Sequence, residues 1–147
     1  MPFRHYNLLL AEDDPDDQLL FSHALEELAI SQPPVIVADG QALVDYLQQT
    51  SRLPDLIFLD INMPFKDGLT ALQEIKALPA LAHLPVVILS TASNDNMVNR
   101  AYALGACLYA RKPNGFRELT ELIRNILSLD VTGLLAKTER DQFLVNR

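Results

Sequence analysis

One cysteine, five glycines and no block of basic residues are the first features of this 147-residue chain. A lone cysteine closes no internal disulfide and supplies no metal cluster. Cys107, inside the apolar run ACLYA, is therefore expected to be a buried free thiol in a reducing compartment. With so few glycines, 49% hydrophobic and only 21% charged residues, the composition is that of a compact globule and excludes a disordered or fibrous segment. The 12 Lys and Arg are outnumbered by 19 Asp and Glu, for a net charge of -7. Without clustered cations to neutralise phosphates, nucleic acid is a poor direct partner. No stretch reaches the ~18 apolar residues of a membrane span. The start, MPFRHYNLLLAEDD, has its apolar run cut short by acids and lacks the core and cleavage site of a secretory signal. A cytoplasmic protein with no membrane contact is the expectation, and no repeat or low-complexity segment complicates it.

What is present is an alternation. Short apolar runs, YNLLLA at 6–11, PVIVAD at 34–39, DLIFLD at 55–60, VVILST at 86–91 and CLYARK at 107–112, read as strands buried on both faces, as in a parallel sheet covered by helices. Between them lie five segments of helical period. The first has Asp14 as cap, Pro15 at the first helical position, Asp16 and Asp17 in the first turn, and a predicted apolar stripe of Leu19, Leu20, Ala24, Leu25 and Leu28. The fourth opens on polar cap candidates and ends at Gly105, which suits a left-handed C-terminal position. The fifth carries Phe116, Leu119, Leu122, Ile123 and Ile126 on one stripe. Five strand and helix units predict one doubly wound α/β domain over residues 1–129 with right-handed crossovers. The extension 130–147, with GLLAKTERDQFLV, reads equally as a sixth helix packed on the domain, a partner contact or a frayed end.

In an open parallel sheet, ligand groups gather at the carboxyl ends of the strands. Here the first strand ends in Glu12 and Asp13, the third in Asp60, the fourth in Ser90 and Thr91, and the fifth in Lys112. Capping and the helix dipole account for Asp14, Asp16 and Asp17 but not for Glu12, Asp13 and Asp60. Three carboxylates at partly buried strand ends need compensation, which a hard divalent cation supplies. Magnesium is the natural choice, because it uses few carboxylates, keeps several waters and accepts phosphate oxygens. Strand alternation lets Lys112 face such a site while Arg111 points away, and its ammonium would neutralise a carboxylate or a phosphoryl oxygen. Pro64 shapes the loop after Asp60, and Gly68 opens the third helix where that loop needs freedom. His5, His23 and His83 show no metal-ligand spacing and read as surface or edge residues.

The motifs AEDD, DINMPFKDG, PVVILST and YARKP occur in this order, and over residues 6–127 the chain resembles the receiver domain of bacterial two-component response regulators. That resemblance implies a flavodoxin-like fold with five parallel strands in the order 2-1-3-4-5. It implies Asp60 as phospho-acceptor, Glu12 and Asp13 as ligands of Mg2+ together with Asp60 and the backbone carbonyl of Asn62, Lys112 as the lysine that contacts the phosphoryl group, and Ser90 rather than Thr91 as switch hydroxyl. It further implies Tyr109 as an aromatic that swings inward on activation, and a cis peptide between Lys112 and Pro113. Positions 62 and 92, Asn62 and Ala92 here, would tune hydrolysis, with Asn62 able to hydrogen-bond water. Glu12 stands where many members have Asp.

The implied chemistry is phosphoryl transfer from a phosphohistidine of a sensor histidine kinase or histidine phosphotransfer protein to Asp60, followed by hydrolysis at the same site. The protein would thus catalyse its own modification without being an ordinary enzyme. No helix-turn-helix or enzyme domain follows, so output is expected through contact of the fourth helix, fifth strand and fifth helix with a downstream protein. The sequence leaves a homodimer open, since Phe116 and Leu119 on the fifth helix and FLV at 143–145 read equally as core or as interface. The main alternative is a receiver-like module that is never phosphorylated, although such a module needs none of Glu12, Asp13, Asp60, Ser90 and Lys112. A hydrolase with a nucleophilic Asp would carry its DxD pattern after the first strand. A flavin-binding domain would not fill its first loop with carboxylates that repel phosphate.

Overall fold

Each apolar run forms a strand, and each helical segment closes over one face of the sheet. The computed structural model describes residues 5–133, 135 and 138–146. Its elements are β1 (Leu8–Ala11), α1 (Pro15–Glu27), β2 (Val35–Val37), α2 (Gly40–Gln49), β3 (Leu56–Leu59), α3 (Gly68–Ala77), β4 (Val86–Ser90), α4 (Asp95–Ala103), β5 (Leu108–Arg111), α5 (Phe116–Thr132), α6 (Arg140–Phe143) and β6 (Leu144–Val145). All strand pairs are parallel. The sheet order is β2-β1-β3-β4-β5-β6, the expected 2-1-3-4-5 arrangement of a flavodoxin-like receiver fold plus one short strand.

Two apolar layers sandwich the sheet. On one face α2, α3 and α4 contribute Leu43, Val44, Leu47, Leu69, Leu72, Ile75, Val98 and Ala101. On the other α1 and α5 contribute Phe21, Ala24, Leu25, Leu28, Leu119, Ile123, Ile126 and Leu127. The stripe of α1 differs from the expectation. Phe21, Ala24, Leu25 and Leu28 are buried, whereas Leu19 is 56% and Leu20 36% exposed. The buried set follows the i, i+3, i+4, i+7 rule more closely, and it brings Phe21 edge-on to Phe58 of β3 at 5.1 Å between ring centroids. Strand β2 is only half-buried because it lies at the sheet edge. Cys107 is a free thiol, half-buried rather than fully buried, with burial pushing its pKa up.

Local chemistry sets the helix ends. Asp14, Asp39, Asp67 and Asn94 each accept a backbone N–H of the first turn, at 2.7–2.9 Å. Gly105 adopts φ +99° after α4, with the Gly105 and Ala106 N–H groups donating to the Tyr102 and Ala101 carbonyls at 3.1 Å. The same closure ends α1, where Ala29 and Ile30 donate to Glu26 and Leu25 at 3.0 Å. There a non-glycine residue, Ala29, carries φ +60°.

The extension enlarges the five-stranded sheet expected from the sequence. Leu144 and Val145 pair with Tyr109 and Ala110 along the otherwise open edge of β5, and Phe143 is fully buried. Its ring meets Tyr102 of α4 at 5.1 Å and Tyr109 of β5 at 6.4 Å. The extension thus forms a sixth helix of a single turn and a short strand, both packed on the domain, and Leu134, Ala136 and Lys137 lie outside the described residues. Helix α5 runs unbroken past residue 129 to Thr132. Among the described residues, no helix is long and apolar enough to cross a membrane.

Candidate functional site

The strand register gathers the site. Ala11 of β1 lies beside Leu59 of β3, so Glu12 and Asp60 leave adjacent strands at the same level, where the strand order reverses. The Asp60 N–H donates to the Ala11 carbonyl at 3.0 Å and the Glu12 N–H to the Val37 carbonyl at 2.9 Å. Ser90 of β4 pairs with Arg111 of β5, and the Lys112 N–H donates back to the Ser90 carbonyl at 2.9 Å. Gly68 is packed so closely under this corner that a Cβ would collide with the Asp60 carbonyl oxygen and the Ile61 Cα. Its N–H donates to the Ile61 carbonyl at 2.8 Å. The loop between them carries Phe65 at φ +65°, with the Lys66 N–H donating to the Pro64 carbonyl at 2.7 Å. This is a three-residue γ-turn whose central conformation is strained for an aromatic residue.

Glu12 (2% exposed) and Asp60 (6% exposed) are buried, and Asp13 is exposed. One carboxylate oxygen from each lies within 4.8 Å of the other two. Burial raises the pKa of Asp60 above the ordinary carboxylate range, against the opposing pull of the Lys112 ammonium and hydrogen bonds from the Ile61 N–H, Ser90 and the Asn62 backbone. Burial likewise raises Glu12, and the charge of Asp60 adds to the effect. Three hard oxygen donors that repel one another suit a divalent cation.

Lys112 is the counter-charge, and Arg111 is turned out to solvent. Lys112 Nζ lies 2.5 Å from Glu12 Oε1, 3.0 Å from Asp17 Oδ2 and 3.5 Å from Asp60 Oδ2. Burial disfavours the charged lysine, but the acceptors Glu12 and Asp17, with the charge of Asp60, outweigh it and raise the pKa. The second oxygen of Glu12 accepts the Asp14 N–H at 3.1 Å. The Lys112–Pro113 peptide is trans, unlike the cis bond that the resemblance implies, and no peptide bond among the described residues is cis. Trans is the favoured isomer before proline, and Lys112 reaches the acids from it.

Ser90 is fully buried beside Asp60 whereas Thr91 is exposed. The Ser90 Oγ accepts the Ala92 N–H at 3.3 Å. Tyr109 is fully buried, pointing inward, and its hydroxyl donates to the Ala92 carbonyl. Ala92 thus joins Ser90 to Tyr109 through its backbone. Sequence reasoning missed this link, because a backbone contact leaves no trace in residue type. Nor does residue type reveal the contact of Asp17 with Lys112, because the helix dipole by itself accounts for an acid in the first turn.

Residues 8–124 match the family "Response regulator receiver domain". The response regulator Rcp1 of Synechocystis sp. is 36% identical over 126 residues, covering 82% of this chain and 86% of that protein. The structure of the phosphorylated cyanobacterial phytochrome response regulator RcpA superimposes with a TM-score of 0.80 at 33% identity, covering 92% of this chain and 97% of that one. The Mn2+-bound form of Rcp1 gives 0.77 at 35% identity, covering 86% and 94%. By sequence and by fold alike, this chain belongs to the response regulator receiver domain family.

Proposed function

We propose that the protein is a phospho-accepting response regulator in which Asp60 takes a phosphoryl group from a phosphohistidine of a sensor histidine kinase or a histidine phosphotransfer protein. The observation that carries this reading is the placement of Asp60. It is buried at the switch point of the sheet, with Glu12 and Asp13 on one side and the Lys112 ammonium 3.5 Å away. In the transfer, an Asp60 carboxylate oxygen forms a bond to phosphorus, the phosphorus–nitrogen bond breaks, and the imidazole nitrogen keeps the electron pair. Alignment and charge stabilisation govern such a step more than nucleophile strength does.

Lys112 neutralises one phosphoryl oxygen and the Ser90 hydroxyl donates to another. Glu12, Asp13 and Asp60, with the backbone carbonyl of Asn62, would hold Mg2+, which when bound offsets charge on the phosphoryl oxygens. Support for a divalent ion comes from the three converging carboxylates and from the Mn2+-bound form of the relative Rcp1. Hydrolysis by water attack on phosphorus returns the Asp60 carboxylate.

A phosphoryl group adds about -1.5 to -2 charge and three acceptor oxygens, drawing the Ser90 hydroxyl toward it. Tyr109 and Ala92 then carry the change to α4, α5 and the β6 strand that covers the edge of β5, a surface we assign to a downstream protein or a second copy of this chain. Tyr102 (38% exposed) and Phe116 (39% exposed) supply apolar contact there. The unpaired Cys107 is consistent with a place in the cytoplasm. Intact mass after incubation with acetyl phosphate and Mg2+ tests the reading. A gain of about 80 Da, abolished by Asp60→Asn and by a chelator, is expected. No adduct would favour a receiver-like module that works without phosphorylation.

A further inference from the structure

We propose that Asp17 is a positioning residue for Lys112, holding its ammonium in the site when a cation engages Glu12; this rests on Asp60 being the phosphoryl acceptor. An acid at the third position of a helix commonly reaches back to the N–H of the capping residue. In α1 that duty has passed to Glu12, whose Oε2 accepts the Asp14 N–H at 3.1 Å, while Asp14 itself caps the Asp16 N–H at 2.8 Å. The Asp17 carboxylate faces Lys112 Nζ instead, at 3.0 Å.

An ammonium has three N–H donors on a flexible four-carbon stem. Two of them are donated to Glu12 and Asp17. The third is left for the side of Asp60, whose Oδ2 stands at 3.5 Å. A cation drawing on the Glu12 carboxylate weakens the first of these anchors, and Asp17 remains. It sits on a turn made rigid by Pro15 and the Asp14 cap, with its side chain 34% exposed and outside the group of three converging acids. It can therefore hold the lysine without competing for the cation.

The sign of the effect separates this role from a general electrostatic one. If Asp17 were only one more negative charge near the site, neutralising it would speed the approach of an anionic phosphodonor. As an anchor for Lys112, its loss slows transfer. The test is the rate of Asp60 phosphorylation by acetyl phosphate with saturating Mg2+, read by intact mass for the wild type, Asp17→Asn and Asp16→Asn. Asp16 lies in the same turn, is exposed and serves as the helix-dipole control.

The expected result is a slowing of about 5- to 10-fold in Asp17→Asn, the larger value corresponding to about 1.4 kcal/mol. Asp16→Asn stays within about two-fold of the wild type, and Mg2+ affinity is the same in all three. An Asp17→Asn rate equal to or above that of the wild type, or an equal slowing in Asp16→Asn, overturns the assignment. A wild type that takes no phosphoryl group refutes the acceptor reading itself. The Asp17–Lys112 contact is then decided in chelator by a double-mutant cycle on urea midpoints with Asp17→Asn and Lys112→Met. Coupled shifts support the anchor and additive shifts overturn it.

Discussion

Replacing Asp60 by Asn is expected to stabilise the metal-free protein near neutral pH, by about 1 to 2 kcal/mol. The acids Glu12 and Asp13 each place an oxygen within 4.8 Å of one on Asp60, and at that separation a like charge costs about 3.5 kcal/mol for an effective dielectric of about 20. Lys112, 3.5 Å from Asp60, returns about 4.7 kcal/mol on the same scale. Two repulsions against one attraction leave about 2 kcal/mol of net strain, and solvent around the exposed Asp13 trims that figure. An amide removes the charge, and its oxygen can still accept the Ile61 N–H that Asp60 accepts at 2.8 Å.

The effect has a defined pH dependence. Burial raises the folded pKa of Asp60 above its unfolded value, so between the two the native state holds a proton that the unfolded chain has lost, and stability falls as pH rises. The advantage of the Asn variant is therefore full above the folded pKa and closes as pH drops through it to the ordinary carboxylate range. Urea denaturation in chelator, compared at unchanged m value, checks both statements. Added Mg2+ should narrow the gap, because the cation stabilises the wild type more than the variant. A variant equal to or less stable than the wild type in chelator at neutral pH would refute the reasoning, showing that the Lys112 pair outweighs the repulsion.

Ala29→Gly should raise stability by about 0.5–1 kcal/mol, since Ala29 ends α1 at φ +60° and glycine relieves that strain at some entropic cost in the unfolded chain; thermal or urea unfolding reads it. Gly68→Ala should cost about 2 kcal/mol or more, because the new methyl group meets the Asp60 carbonyl oxygen. It should also slow phosphorylation by acetyl phosphate, and an unchanged rate would count against Gly68 setting the position of Asp60. Phe143→Ala removes a fully buried ring from between Tyr102 and Tyr109, at a cost of up to about 3 kcal/mol. Undocking of the extension caps that loss. Hydrogen exchange should then show protection lost at Leu144 and Val145 and retained in β1, β3 and β4; unchanged protection of β6 would show that the ring does not hold the strand.

Some features of the site were legible in the chain itself. Strands form where four or five apolar residues run together, and caps form where Asp14, Asp39, Asp67 and Asn94 precede a helical period. These are local properties, decided by side-chain type and spacing within a few residues. Because the acids, Ser90 and Lys112 sit at strand ends, the parallel order of the strands was enough to bring them to one place. Partner choice could not be read in this way. Lys112 stands 100 residues from Glu12 and 95 from Asp17, and only the packing of α1 against α5, the helix that follows Lys112, made Asp17 its neighbour rather than a helix-dipole charge.

Burial was likewise a tertiary outcome. Leu19 and Phe21 are both apolar, and two residues apart they lie on opposite faces of α1; the docking of that helix on the sheet decided that the Phe21 face was the buried one. The sixth strand had no sequence signal of its own, being two residues long. It exists because β5 would otherwise present unpaired backbone groups at an edge, and because Phe143 finds an apolar slot between two tyrosines. Sequence thus determined which groups were available at the strand ends, whereas tertiary structure decided which were buried and which paired, because desolvation and Coulomb energy depend on distances between parts of the chain that local pattern does not relate.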